Sequence, residues 1–316
     1  MAELKRKIDK FLLDWRNSKT RKPLIIKGAR QTGKTTSIEK FGKENYKSFI
    51  EINFVSMPEY KTIFNDGYTV DSIIKNISLH NGNFEFIPND TLIFFDEMQE
   101  FPDVVTSLKF FCIDGRFDVI CSGSLMGINY QEIHSNSVGY KEDYTMRSLD
   151  FEEFLWAKGY KDEQIEDLYT CMKEVKPLTN TQYNVMMSNF NDYMITGGMP
   201  EVVSMFIDNK NFSGVLDKQK SLLLDYEEDI TKYAGGLDKS KILVAYQKIK
   251  VFLGNDNKKF QITKLKDGAR NREYIGVVDW LDKAGIVNVS YSLYHLELPL
   301  KVNYNPDNYR LYFGDT

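Results

Sequence analysis

The chain has 316 residues, 42% of them hydrophobic and 14% aromatic, enough to bury a large core and, on length, to form about two domains. It contains no run of about 18 apolar residues, and its opening "MAELKRKIDK" lacks the apolar stretch of a secretory signal, so the expectation is a cytoplasmic protein without a membrane span. A formal net charge of −4 argues against strong nonspecific nucleic-acid binding by the whole molecule.

The charge is unevenly spread. Residues 239–316 carry 13 Lys and Arg against 8 Asp and Glu, a balance of +5, which leaves 28 against 37, or −9, for residues 1–238. An acidic body with a mildly basic tail points to two tasks. Cys112 and Cys121 fall in apolar runs, and with Cys171 they show no metal-ligand spacing; reduced thiols are expected. The histidines His80, His134 and His295 show no metal pattern and read as surface or satisfied groups.

In chain order, Glu3 to Ser18 reads as an amphipathic helix, with Ile8, Leu12 and Trp15 on one stripe beside Phe11. The apolar runs "PLIIKG", "SFIEINF", "TLIFFDE" and "FDVICSGS" follow, separated by helical stretches. That alternation predicts a parallel sheet covered on both faces, an α/β core over residues 1–150. Residues 151–236 are helical in periodicity and read as a lid or bridging subdomain ending at Gly235-Gly236. Residues 237–316 read as three helices followed by a hairpin-like strand.

The stretch "GARQTGKT" matches G-x-x-x-x-G-K-[ST] at Gly28, Gly33, Lys34 and Thr35, between a predicted strand and the predicted helix "KTTSIEKFGKENY". Glycines let successive N–H groups turn inward as an anion nest, and the helix N-terminus adds its positive dipole. The loop residues Gly28, Ala29, Arg30, Gln31, Thr32, Gly33, Lys34, Thr35 and Thr36 are therefore the candidate nucleotide cradle. Lys34 is placed to meet the β- and γ-phosphates of ATP, and Thr35 to offer its hydroxyl to Mg²⁺.

"TLIFFDEMQE" runs from a buried strand into Asp96 and Glu97, at the C-terminal edge where open α/β sheets hold ligands. Asp96 is the candidate Mg²⁺ group and Glu97 the candidate general base. The next strand ends at Ser122 and Ser124 around Gly123, and either hydroxyl is placed to sense a γ-phosphate. Arg30 and Arg147 are candidate phosphate-sensing cations.

Taken together, "GARQTGKTT", "LIFFDEMQE", "VICSGSLMG", "LDFEEFLWAKG", "GGMPEVV", "YEEDITKY" and "KKFQITKLKDGARNREYIGVVDWLDKAGIV" resemble, in order and over nearly the whole chain, a large bacterial and archaeal family of AAA-type ATPases with a second domain of unknown function. The resemblance implies a P-loop NTPase core of the additional-strand type, with the acid-pair strand beside the strand that follows it. It also implies a winged-helix-like α+β module after the lid. Family members usually continue beyond the segment matching "RLYFGDT", often into a restriction-endonuclease-like region. The chain is expected either to be a fragment or to lack that region, and nuclease activity is not carried over.

Two functions fit these residues. One is an Mg²⁺-dependent ATPase whose cycle drives or gates another event. The other is a nucleotide-controlled switch whose tail binds a partner while hydrolysis is negligible. The partner is duplex DNA or a protein. Lys264, Lys266, Arg270 and Arg272 surround the expected recognition helix and are the candidate phosphate contacts, while Glu273, Asp279 and Asp282 dilute their charge.

Overall fold

The computed structural model describes residues 4–124, 137–234, 238–266, 269–274 and 276–315, without the side chains of Asn271 and Arg272. The chain divides into two units, 1–211 and 212–316.

The first unit opens with helix α1 (Lys7–Asn17), whose stripe Ile8, Leu12 and Trp15 is buried as its periodicity predicts. Strand β1 (Leu24–Gly28), helix α2 (Lys34–Asn45), strand β2 (Ser48–Asn53), helix α3 (Val70–His80), strand β3 (Thr91–Asp96), helix α4 (Val104–Asp114) and strand β4 (Asp118–Ser124) alternate after it. A fifth strand, β5 (Glu142–Thr145), completes a parallel sheet in the order β2-β3-β4-β1-β5.

Period-two alternation divides the apolar residues between two cores. Ile25, Ile50, Ile52, Ile93, Phe95, Val119 and Cys121 pack with α3 and α4 on one face. Leu24, Ile26, Leu92, Phe94 and Ile120 pack with α1 and α2 on the other. Burial on both faces explains why these strands read as continuous apolar runs. The strand β4 lies between β1 and β3, so the acid-pair strand stands beside the strand that follows it, as the resemblance implies. This is the additional-strand arrangement of a P-loop NTPase.

Beyond β5 come helices α5 (Phe151–Ala157), α6 (Asp162–Lys173), α7 (Asn180–Thr196) and α8 (Pro200–Asn209). Phe154 of α5 is fully buried and packs against Tyr193 of α7 and Phe206 of α8.

The second unit is α+β. It holds α9 (Val215–Tyr233), α10 (Lys239–Leu253), α11 (Val277–Lys283) and an antiparallel hairpin of β6 (Val287–Leu293) and β7 (Tyr304–Phe313). Helix α10 buries Ile242, Ala245, Tyr246, Ile249 and Phe252. The middle of the three helices expected here is replaced by two 3-10 turns, Ile262–Lys264 and Asn271–Tyr274. The buried anchors Phe260, Leu265 and Tyr274 are spaced five and nine residues apart, which makes no helical stripe. The Gly235-Gly236 boundary and His134 lie outside the described residues.

Candidate phosphate-loop site

The candidate site forms at the C-terminal edge of the sheet, where β1, β3 and β4 release their chains together. Gly28 is the last residue of β1, and the space a side chain would need there is taken: a Cβ would lie 2.2 Å from the Met146 carbonyl oxygen. The first glycine of the loop is thus required by the close passage of the segment after β5. Gln31 and Gly33 take left-handed backbone conformations, with φ of 62° and 91°, which aims the loop back toward the start of α2. Thr32 closes the loop by donating its hydroxyl to the Ala29 carbonyl at 3.0 Å.

Lys34 folds over this loop and donates to the carbonyls of Gly28 at 3.1 Å and Ala29 at 2.7 Å. Burial pulls its pKa down to about 8; Glu97 and Asp96 oppose that shift, and Arg30 adds to it. A desolvated ammonium favours an incoming polyanion, because phosphate supplies the negative charge and acceptors that replace the hydration lost on burial.

Asp96 is 2% exposed and held from three directions. Thr35 donates its hydroxyl to Oδ2 at 3.1 Å, Asn53 donates its amide to the same oxygen at 3.1 Å, and Ser122 donates its hydroxyl to Oδ1. Each comes from a different element, so the carboxylate is fixed by the sheet rather than by its own loop. The residues fit Mg²⁺: a hydroxyl and a buried carboxylate already in contact make an all-oxygen donor pair, and this ion takes one or two carboxylates while keeping water and phosphate ligands. No cluster of three or more His, Cys, Asp or Glu side chains that could hold a metal occurs among the described residues.

Glu97 follows in a left-handed conformation, φ 55° and ψ 44°, uncommon for a residue with a side chain. It turns the carboxylate out of the strand line and into the cleft. That cleft, of about 720 Å³, is lined by Arg30, Gln31, Gly33, Lys34, Thr35, Thr36, Glu97, Ser122 and Ser124 among others. The structure thus gathers most of the candidates around one cavity. Arg147 is not among the lining residues; its side chain is exposed, and its carbonyl accepts from Arg6 Nη2 at 2.6 Å.

Sequence reading missed Arg6, Asn53, Gln99 and the outer wall. Asn53 carried a legible signal, a polar residue ending an apolar strand, as Ser122 does. Arg6 gave none, because it sits in a charged run that reads as a solvated face. It is in fact 6% exposed, with Nε on Glu153 at 3.1 Å and Nη1 on the Thr32 carbonyl at 2.9 Å. The cleft continues past the loop to Leu4, Asp9, Pro200, Glu201 and Ser204.

His80 packs against Tyr60 in a tilted ring pair with centroids 4.7 Å apart and does not line the cleft. In the second unit, Lys264, Lys266 and Arg270 are exposed, while the Arg272 side chain lies outside the described residues. Lys264 ends the first of the two turns before α11, Lys266 and Arg270 lie between those turns, and none of the three is on that helix. No helix of the described residues is long and apolar enough to cross a membrane.

Among known proteins, residues 20–155 match the family described as an AAA domain. Residues 187–316 match a family described only as a domain of unknown function. No curated protein matches in sequence. Among solved structures, a Walker-type ATPase of Pyrococcus abyssi, PABY2304, aligns over 99% of this chain and 94% of its own, with TM-score 0.52 and 12% identity. The ORC1 protein of Aeropyrum pernix, solved in complex with DNA, aligns over 98% and 88% with TM-score 0.36 and 10% identity. The RuvB Holliday junction branch migration motor of Thermotoga maritima aligns over 90% and 89% with TM-score 0.39 and 12% identity. At 12% identity the likeness to the Pyrococcus protein is one of fold. With the family match, the additional-strand sheet and the phosphate loop in place, residues 20–155 form an AAA-type P-loop NTPase core, which the chain joins to a C-terminal domain of unknown function.

Proposed function

We propose that the first unit binds ATP with Mg²⁺ and hydrolyses the γ-phosphate, with Glu97 as general base. The observation that carries this reading is the meeting of Lys34, Thr35, Glu97 and Ser122 on one cleft, with Asp96 fixed behind Thr35 and Ser122. In this reading Lys34 leaves the loop carbonyls for the phosphates, the N–H groups of the loop and of the α2 N-terminus cradle the anion, and Glu97 orients and deprotonates the attacking water. Bound Mg²⁺, held by Thr35 and Asp96, would neutralise phosphate charge. Ser122 or Ser124 is the γ-phosphate sensor, and we favour Ser122, because its hydroxyl already touches Asp96. We assign the outer cleft at Leu4, Asp9, Pro200, Glu201 and Ser204 to the base and ribose, with helices α5 to α8 as the lid. Arg30 lines the cleft as a phosphate-sensing cation, and Arg147 would take that role only by moving its side chain inward.

Steady-state ATP hydrolysis tests the reading, measured with and without Mg²⁺ and with and without duplex DNA. Mg²⁺-dependent release of phosphate is expected. ATP binding with no turnover under any of these conditions would leave the nucleotide-switch alternative.

We read the second unit as winged-helix-like: helix α10, two turns, helix α11 and the β6–β7 hairpin follow one another in the order that module requires. Exposed Lys264, Lys266 and Arg270 support contact with duplex DNA. A protein partner is favoured by a different observation, the apolar hairpin tip, where Leu296, Leu298 and Val302 are 89%, 87% and 76% exposed.

A further inference from the structure

We infer that Gln99 is the positioning residue for Glu97 and ties its carboxylate to the end of strand β4. The inference rests on the reading of Glu97 as the base. Gln99 lies in the short 3-10 turn Met98–Glu100 directly after the acid pair, and it is 8% exposed. Its amide nitrogen donates to Glu97 Oε2. Its amide oxygen accepts the backbone N–H of Ser124 at 3.1 Å. One side chain therefore spans from the candidate base to the last residue of β4, two residues beyond the serine that holds Asp96.

Three features make this a built connection. A glutamine buried this deeply must satisfy both ends of its amide, and here it does so with one partner on each side. The space above Gly123 is reserved for it: a Cβ there would lie 3.0 Å from Gln99 Oε1 and 2.6 Å from Met98 Cγ. Glu97 itself is in a left-handed backbone conformation, which costs energy unless surrounding contacts hold it. The amide donor supplies such a contact at the carboxylate. With Oε2 engaged by Gln99, Oε1 is the oxygen left to take a water proton. Because the same amide accepts from Ser124, a displacement of the β4 end is transmitted to the base.

Two substitutions separate the halves of this connection. Gln99→Met keeps the volume and removes both hydrogen bonds; Gln99→Glu keeps an acceptor for Ser124 and removes the donor to Glu97. Both are expected to lower kcat for ATP roughly 10- to 100-fold, the scale of a mispositioned base. The KM for ATP and the affinity for ATP–Mg²⁺ should stay within about twofold, since no phosphate contact is lost. The same Gln99→Met change in a Glu97→Gln background should lower the residual rate less than about threefold, because residues acting as a unit are not additive. Native kcat in Gln99→Glu, or an equal loss from Gln99→Met with and without Glu97, overturns the role of Gln99 while leaving the base assignment intact. Native turnover in Glu97→Gln alone, or no turnover in the native chain, removes the base assignment and the inference with it.

Discussion

Lys34 shows how one residue carries both affinity and pH dependence. Lys34→Ala should abolish tight ATP–Mg²⁺ binding with the fold intact, because a charge-assisted contact to phosphate is lost and the side chain anchors no hydrophobic core; calorimetry showing undiminished affinity would refute the phosphate-loop assignment. Burial holds its pKa down at about 8, and a bound polyanion raises it again. The ammonium that phosphate needs is present below pH 8. As pH rises through 8, ATP must bring a proton with it, so affinity should fall by up to roughly tenfold per pH unit. Proton uptake on binding at pH 9, read calorimetrically in two buffers of different ionisation enthalpy, checks the sign. The neighbouring acids separate differently. Glu97→Gln should bind ATP and hydrolyse it about 10²- to 10⁴-fold more slowly, whereas Asp96→Asn should weaken Mg²⁺-dependent binding. Normal turnover in Glu97→Gln would make Glu97 a structural acid.

Among the elements, the buried strands were the easiest to read and β5 the hardest. Runs such as "LIFF" announce a strand covered on both faces, but "EDYT" at the sheet edge alternates half-buried and exposed residues and looks like a loop. Only its pairing with β1 makes it a strand. The attachment of α5 was likewise invisible, since Arg6 and Glu153 are 147 residues apart. Each is about 6% exposed on its side chain, and Glu153 also accepts the Lys7 N–H at 2.6 Å. Removing one partner of such a pair strands a buried charge, so Arg6→Ala should destabilise the chain by about 3–5 kcal/mol. Adding Glu153→Gln should recover part of that loss, because the stranded charge is gone. Urea denaturation of the native chain and the two variants measures both effects; an Arg6→Ala midpoint equal to the native one would show that the pair contributes nothing. Arg6→Ala should also weaken ATP binding, because Arg6 holds the Thr32 carbonyl beneath the phosphate loop.

At the scale of the whole molecule, the question is what the second unit touches. If it contacts duplex DNA through Lys264, Lys266, Arg270 and Arg272, the full chain should retard a duplex at low salt. Four neutralised phosphates give a slope of log K against log salt near about −3 to −4, and replacing Arg270 and Arg272 by Ala should flatten it by about two units. Electrophoretic or anisotropy titrations between low and moderate salt read the slope directly. Absence of retardation at low salt, with ATP-dependent capture of a protein abolished by polar substitutions at Leu296 and Leu298, would place the unit among protein-contacting modules.

The sequence by itself determined the parallel core, the phosphate loop and the acid pair, because each is written locally. Two-sided burial makes an apolar run, a glycine-rich turn needs its residues at fixed offsets, and a strand ending in carboxylates places them at the sheet edge. Tertiary structure alone decided what surrounds them. The three donors on Asp96 come from residues 35, 53 and 122, and Gln99 joins Glu97 to Ser124. The lysine's lowered pKa follows from burial that no local pattern encodes. Those relations depend on which strands lie side by side, and the order β2-β3-β4-β1-β5 brings residues far apart in the chain within one hydrogen bond of each other.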